Sequence, residues 1–309
     1  MHDELKGWLE WLGIDDPKLE ALCGDASSRR YYRLKKPQNI VMDASAMKES
    51  VPRFIGVAML LQQFKVRLPQ IKAFEQHKGF MLLEDVGSRH LFDEKDKQNV
   101  SAYYEKAIKE LVKIQQTPAQ GLEPYDAMFL LEEMNLMPEW YLKEHLGRSV
   151  ECVEGRTLLG AFALISKEVL SQPQEIFVHR DYHSRNLMID DKDDIVVIDF
   201  QDAKSGALTY DLVSLLRDAY VELDAQEIQR LVLLFKELKG LEVDDETFMR
   251  WFDFTGLQRH IKILGIFARL SIRDGKDGYL DDIPLTLKYV LETASKYPGL
   301  DGLVSLLSK

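Results

Sequence analysis

Leu5, Trp8, Leu9 and Leu12 recur at helical spacing, and Gly13 suits the end of the helix they predict. Two short strand patterns follow, Tyr31–Leu34 and Ile40–Asp43. The polar stretch Lys35–Asn39 lies between them, as in a hairpin. Phe54, Val57, Ala58 and Leu61 then mark one face of a helix, and Pro69 lies beyond its end. Two more strand patterns, Ile71–Phe74 and Phe80–Glu84, flank the turn His77-Lys78-Gly79. The pattern changes after Gly87. Val100, Tyr103, Tyr104, Ala107 and Leu111 form a helical stripe, and helical periodicity dominates to the end of the chain. The exception is an island of β character at Ile176, Leu187–Ile189 and Ile195–Asp199. An α+β chain is expected, with a small β-rich lobe over residues 1–84 and a large, mainly helical lobe over 85–309. A cleft is expected at their join near Glu84–Gly87, because ligand sites favour such places.

The composition changes this picture little. With 309 residues, 46% hydrophobic and 29% charged, the chain can bury a proper core. Its net charge of -11 disfavours nucleic acid as a partner. Cys23 and Cys152 stand far apart with no CxxC motif or Cys/His cluster, as expected of free thiols in a reducing compartment. Asp3 and Glu4 lie where a signal peptide needs positive charge, and no apolar run approaches the ~18 residues of a membrane helix. A cytoplasmic protein without membrane partners is the expectation.

The chemistry is concentrated between Val178 and Asp211. His179-Arg180-Asp181 is followed five residues after the aspartate by Asn186, the H-R-D-x-x-x-x-N pattern of kinase catalytic loops. The β-branched run Ile195–Ile198 then delivers Asp199-Phe200. Phosphoryl transfer explains the spacing. One aspartate accepts the proton of an attacking hydroxyl, while an asparagine and a second aspartate hold Mg²⁺ against ATP phosphates. The alternative is a loop with polar caps before a buried strand.

On these residues the chain resembles the aminoglycoside phosphotransferase/choline kinase group of protein-kinase-like enzymes. Within that group it is similar to the anomeric amino-sugar kinases of bacterial cell-wall recycling, which phosphorylate N-acetylmuramate and N-acetylglucosamine at C1. The resemblance runs from Asp25-Ala26-Ser27 through Leu82–Asp85, His179–Met188, Asp199–Ala203 and Tyr210–Asp218 to Gln258-Arg259-His260 and Arg273–Lys276. It implies a two-lobed kinase-like fold and a small amino-sugar acceptor. It also implies Asp181 as catalytic base and Asn186 and Asp199 as Mg²⁺ ligands. His179 would be a structural member of the loop. Asp211 would brace the loop, or serve simply as an acid in the first turn of a helix. Glu84, Asp85 and Val86 would form the hinge that offers backbone groups to adenine.

The kinase pattern is incomplete on the phosphate side. Gly24–Arg30 replaces a glycine-rich loop, so Ser27, Arg29 and Arg30 could face phosphate, or form only a polar turn. Met42 or Asp43 occupies the place of the strand lysine. Arg29, Arg30, Arg33 and Lys48 are the candidate replacements, with Glu49 the nearest helix partner. Asp-Phe-Gln at 199–201 lacks the glycine hinge of regulated kinases. These gaps leave two alternatives, a nucleotide-binding pseudokinase and a kinase of choline, an aminoglycoside or another small hydroxyl compound.

Arg259, Lys262, Ile266, Arg269 and Arg273 share one helix face. That face could bind a sugar-acid carboxylate, brace acidic residues of the catalytic loop, or be solvated. His260 lies in the same family-like stretch. His183 and Arg185 could orient acceptor hydroxyls or brace their loop. Trp140 and Tyr141 could stack on a sugar or belong to the core.

Overall fold

A computed structural model describes residues 2–22 and 29–309, without the His2 side chain. The first elements in chain order are α1 (His2–Trp11), β1 (Leu19–Leu22), β2 (Arg30–Lys35), β3 (Gln38–Asp43), α2 (Val51–Gln63), β4 (Ile71–Glu75) and β5 (Phe80–Glu84). Then come α3 (Val100–Ile114), α4 (Ala127–Met134), α5 (Cys152–Leu170), β6 (Ile176–Val178), β7 (Leu187–Ile189), β8 (Ile195–Val197) and β9 (Lys204–Gly206). The chain ends with α6 (Tyr210–Leu216), α7 (Ala225–Leu238), α8 (Asp245–Asp274), α9 (Ile283–Ala294) and α10 (Asp301–Leu307).

Its contacts divide the chain into two compact units, Met1–His90 with Leu187–Gln201, and Leu91–Asn186 with Asp202–Lys309. The break expected at residue 84 therefore falls later, and the β7–β8 hairpin returns to the first unit. Two ties explain the return. The Ile189 amide donates to the Arg89 carbonyl, and the Val197 amide to the Arg67 carbonyl. Val86, Met188 and Val196 also share an apolar cluster.

The first unit is an antiparallel sheet ordered β1-β2-β3-β5-β4. The β2–β3 register opposes Arg30 to Asp43 and Tyr31 to Met42. Leu5, Trp8 and Leu9 of α1 bury their stripe against Leu34, Val41, Phe80 and Leu82. The chain leaves α1 through Gly13 at φ 80°, a conformation that glycine adopts without strain. On α2, Phe54, Val57, Ala58 and Leu61 are buried as their periodicity predicts, and Phe54 meets the Phe200 ring at 4.8 Å.

The second unit is organised around α8. Asp244 caps its start by accepting from the Thr247 amide, and Gly275 at φ 66° ends it. Its middle, Phe252–Gly265, is almost wholly buried, polar residues included. Leu257, Ile261 and Leu264 join Met134, Met137, Phe162 and Ile165 in one core. Gly265 permits the closest approach, since a Cβ there would lie 2.3 Å from the Leu136 carbonyl carbon. Tyr141 is 5% exposed and Trp140 packs on the same cluster, so both belong to the core. No helix of the described residues is long and apolar enough to cross a membrane.

Candidate active site

The His179–Asn186 loop leaves β6 directly, so its start is fixed by the β6–β9 pair. Asp211, fully buried in the first turn of α6, accepts from the His179 amide at 2.7 Å and the Arg180 amide at 3.0 Å. It is thus bonded to the catalytic loop. Burial pushes its carboxyl above the usual range, although His179 and the two amides oppose the shift. His179 is 1% exposed, and its Nδ1 accepts from the Asp181 amide at 3.3 Å. Arg180 takes a left-handed backbone, φ 79°, which this double grip sustains.

Asp181 is half-buried at the centre of a cationic group. Burial alone would raise its carboxyl pKa. Arg259, His183, Lys262 and Arg180 together overcome that and hold it below the ordinary aspartate value. Two cations of the predicted helix stripe therefore lie inside the protein. Arg259, 4% exposed, donates to the Arg180 carbonyl at 3.0 Å. Lys262, 5% exposed, meets the Glu133 carboxylate at 2.8 Å and the Tyr210 hydroxyl at 3.1 Å. This part of the stripe braces the loop and is not solvated. Further along, Arg269 is half-buried, and Arg273 is exposed and paired with Asp274.

Glu133 of α4 is the residue the sequence concealed. One buried carboxylate receives Arg180 at 3.1 Å, Lys262, Gln258 at 3.3 Å and the Tyr125 hydroxyl. It lies far from the loop in sequence, and its charge alone distinguishes nothing.

His260 differs from the expectation of a substrate ligand. It is fully buried, stacks on Tyr289, and its Nε2 lies 2.8 Å from the Arg217 carbonyl. That carbonyl can only accept, so Nε2 carries the proton. Burial drives its pKa down to about 3, which keeps the ring neutral. His183 packs edge-on against Tyr220 at 5.3 Å, and Arg185 lies 3.7 Å from the Tyr220 ring centre.

Asn186 donates Nδ2 to the Asp181 carbonyl at 3.0 Å, which leaves Oδ1 as the atom suited to a cation. In the first unit Asp199 adopts φ 62°, and Gln201 donates Nε2 to its Oδ1 at 2.8 Å. The residue that replaces the kinase glycine thus orients the carboxylate two positions before it. Glu84 is fastened to Arg67 by two bonds of 2.8 and 2.7 Å. Asp85 is held by Arg33 at 2.8 and 3.2 Å, and caps the Gly87 amide at 3.0 Å. Both side chains are committed within the lobe, so only the backbone of the 84–86 segment is left to serve a ligand. Ser27 lies outside the described residues. Arg29 is 7% exposed and Arg30 is exposed.

A small antiparallel β unit, a helical unit and a braced H-R-D loop define a protein-kinase-like phosphotransferase. Solved structures agree on the fold. The choline kinase LicA from Streptococcus pneumoniae superposes with a TM-score of 0.68 at 14% identity, covering 94% of this chain and 99% of that one. The ADP-bound aminoglycoside phosphotransferase APH(2'')-Ib gives 0.65 at 13%, covering 95% and 99%. Residues 18–252 match the model of the phosphotransferase enzyme family, APH, and the chain belongs to that family. It is an ATP-dependent small-molecule kinase. Curated relatives from Neisseria meningitidis serogroup B and Pseudomonas aeruginosa are each 36% identical over 98% of this chain. The match covers 94% and 90% of their lengths, and both are named N-acetylmuramate/N-acetylglucosamine kinase.

Proposed function

We propose that this kinase transfers the γ-phosphoryl group of ATP to the anomeric hydroxyl of N-acetylmuramate or N-acetylglucosamine. The product is the sugar 1-phosphate, which serves peptidoglycan recycling in the cytoplasm. The observation that carries the reading is the cationic group around Asp181. It keeps the base ionised but weakly basic. An anomeric hydroxyl is more acidic than an ordinary alcohol, so a weak base suits it. An amino sugar as the acceptor is in keeping with the names of the curated relatives.

Asp181 accepts the hydroxyl proton as the bond to phosphorus forms. His183, Arg185 and Arg269 contact the acceptor, while Arg259 acts through the loop backbone. Mg²⁺ would be held by Asn186 Oδ1 and Asp199, oxygen donors of the kind this ion takes. When bound, it neutralises charge on the transferring phosphoryl group. The backbone groups of Glu84, Asp85 and Val86 serve the adenine.

Arg29 is the best replacement for the missing strand lysine. Arg33 is held by Asp85, while Arg30 and Lys48 are exposed. Arg29 is buried near Ser50, which precedes α2, and Phe54 of that helix packs on Phe200, next to Asp199. The Tyr31 hydroxyl, pushed up to about 12 by burial and Asp199, is drawn back by Arg29, so it feels both groups.

The test is ADP release with a panel of acceptors, beside Asp181→Asn. Turnover with N-acetylmuramate or N-acetylglucosamine, lost in the variant, is expected. Turnover with choline-like compounds alone would sink the sugar assignment. Undiminished turnover in Asp181→Asn would sink the mechanism.

A further inference from the structure

Asp218 is absorbed by none of these roles, yet it is 1% exposed and lies two residues beyond α6. A buried carboxylate is costly unless its oxygens are well bonded. One oxygen accepts from the Ser184 amide at 2.9 Å, and the other from the Tyr220 amide at 3.0 Å. Ser184 lies three residues after the base, on the side of the loop opposite the Asp211 grip. Tyr220, fixed by the second bond, presents its ring to both His183 and Arg185. Phe92 covers Arg185 from another direction, with the guanidinium 5.0 Å from its ring centre.

We infer that Asp218 is a positioning residue for the acceptor side of the catalytic loop. It ties the loop backbone after Asp181 to the aromatic support of His183 and Arg185. The loop is thereby held at both ends by one short stretch of chain. Asp211 fixes the amides before the base, and Asp218 fixes the amide after it. The role requires both carboxylate oxygens. Asn keeps one acceptor and turns an NH₂ group toward the other amide, so Asp218→Asn breaks one tie while nearly preserving volume. The inference rests on reading Asp181 as the base.

The test compares Asp218→Asn and Tyr220→Leu with the unaltered enzyme, measuring acceptor kcat/KM, ADP affinity and melting temperature. Tyr220→Leu retains the backbone amide but removes the ring. Both variants are expected to lower acceptor kcat/KM about tenfold or more while ADP affinity stays within about twofold. Acceptor kinetics equal to the unaltered enzyme, or equal losses for acceptor and ADP, would overturn the inference. Should Asp218→Asn fail to fold, Tyr220→Leu decides by the same criteria. If the unaltered enzyme turns over no amino sugar, the proposed function fails separately. Amide exchange at Ser184 and Tyr220 then decides the clamp, being at least about tenfold faster in Asp218→Asn if it holds and unchanged if it does not.

Discussion

Replacing Glu133 by Gln should produce the largest loss of stability of any single change near the catalytic loop. Its carboxylate is 7% exposed and neutralises Arg180 at 3.1 Å and Lys262 at 2.8 Å. Gln fills the space but leaves the buried Lys262 and the half-buried Arg180 without their shared anion. Removing one member of a buried ion pair costs about 3–5 kcal/mol. For a unit of about two hundred residues, each kcal/mol moves the melting temperature by about 2–4 °C. The expected drop is therefore about 6–20 °C, read by calorimetry. Lys262→Met in the same background removes one stranded charge and should recover about 1–3 kcal/mol as a coupling energy. In whatever Glu133→Gln remains folded, Arg180 and Lys262 act on Asp181 without compensation. The acidic limb of the acceptor kcat/KM profile then moves to lower pH. A drop of less than about 2 °C, or strictly additive losses in the double variant, would refute the buried-network account.

Arg29→Gln should weaken ADP binding about tenfold or more by calorimetric titration, whereas Lys48→Ala should leave it unchanged. His260 binds a proton in the unfolded chain below about pH 6.5 but in the native state only near 3. Native stability should thus fall with acidification across that window, by up to about 1.4 kcal/mol per pH unit from this residue, and denaturant titrations of His260→Gln should show a shallower slope. Gly265→Ala forces a Cβ against the Leu136 backbone and should cost about 1–3 kcal/mol, read from urea melts.

Most of the first unit was legible because its strands are short apolar runs bounded by turn residues and its helices carry apolar stripes. β1 escaped notice because Leu19-Glu20-Ala21-Leu22 is a four-residue edge strand with no buried position. β9 escaped because Lys204-Ser205-Gly206 has no strand-like residue at all, and only its pairing with β6 makes it one. Periodicity grouped Arg259 with Lys262 but could not say which way they faced. Cations predict solvent by default; the distant Glu133 makes the burial of Lys262 tolerable, and Asp181 and Asp218 offset that of Arg259. The H-R-D loop was readable because its chemistry fixes residue spacing. The residues that support it act through folding: Glu133 leaves no local pattern, and Asp218 lies in a family-like stretch that does not disclose its role. Gln201 was read as a lost hinge, and its bond to Asp199 needed coordinates.

The return of Leu187–Gln201 to the first unit also sets a schedule for biosynthesis. A ribosome releases residues 1–90 well before the β7–β8 hairpin exists, so the nascent sheet waits for the cover that Met188 and Val196 bring to Val86 and for the amides of Val197 and Ile189. Its closing piece arrives only after Leu91–Asn186 has been made. At about 5–20 residues per second that is a delay of seconds, long compared with the folding of a small sheet. Of the two units, the one begun first is therefore left open while half of the other is made, and it is closed at Gln201 before the other's Asp202–Lys309 exists.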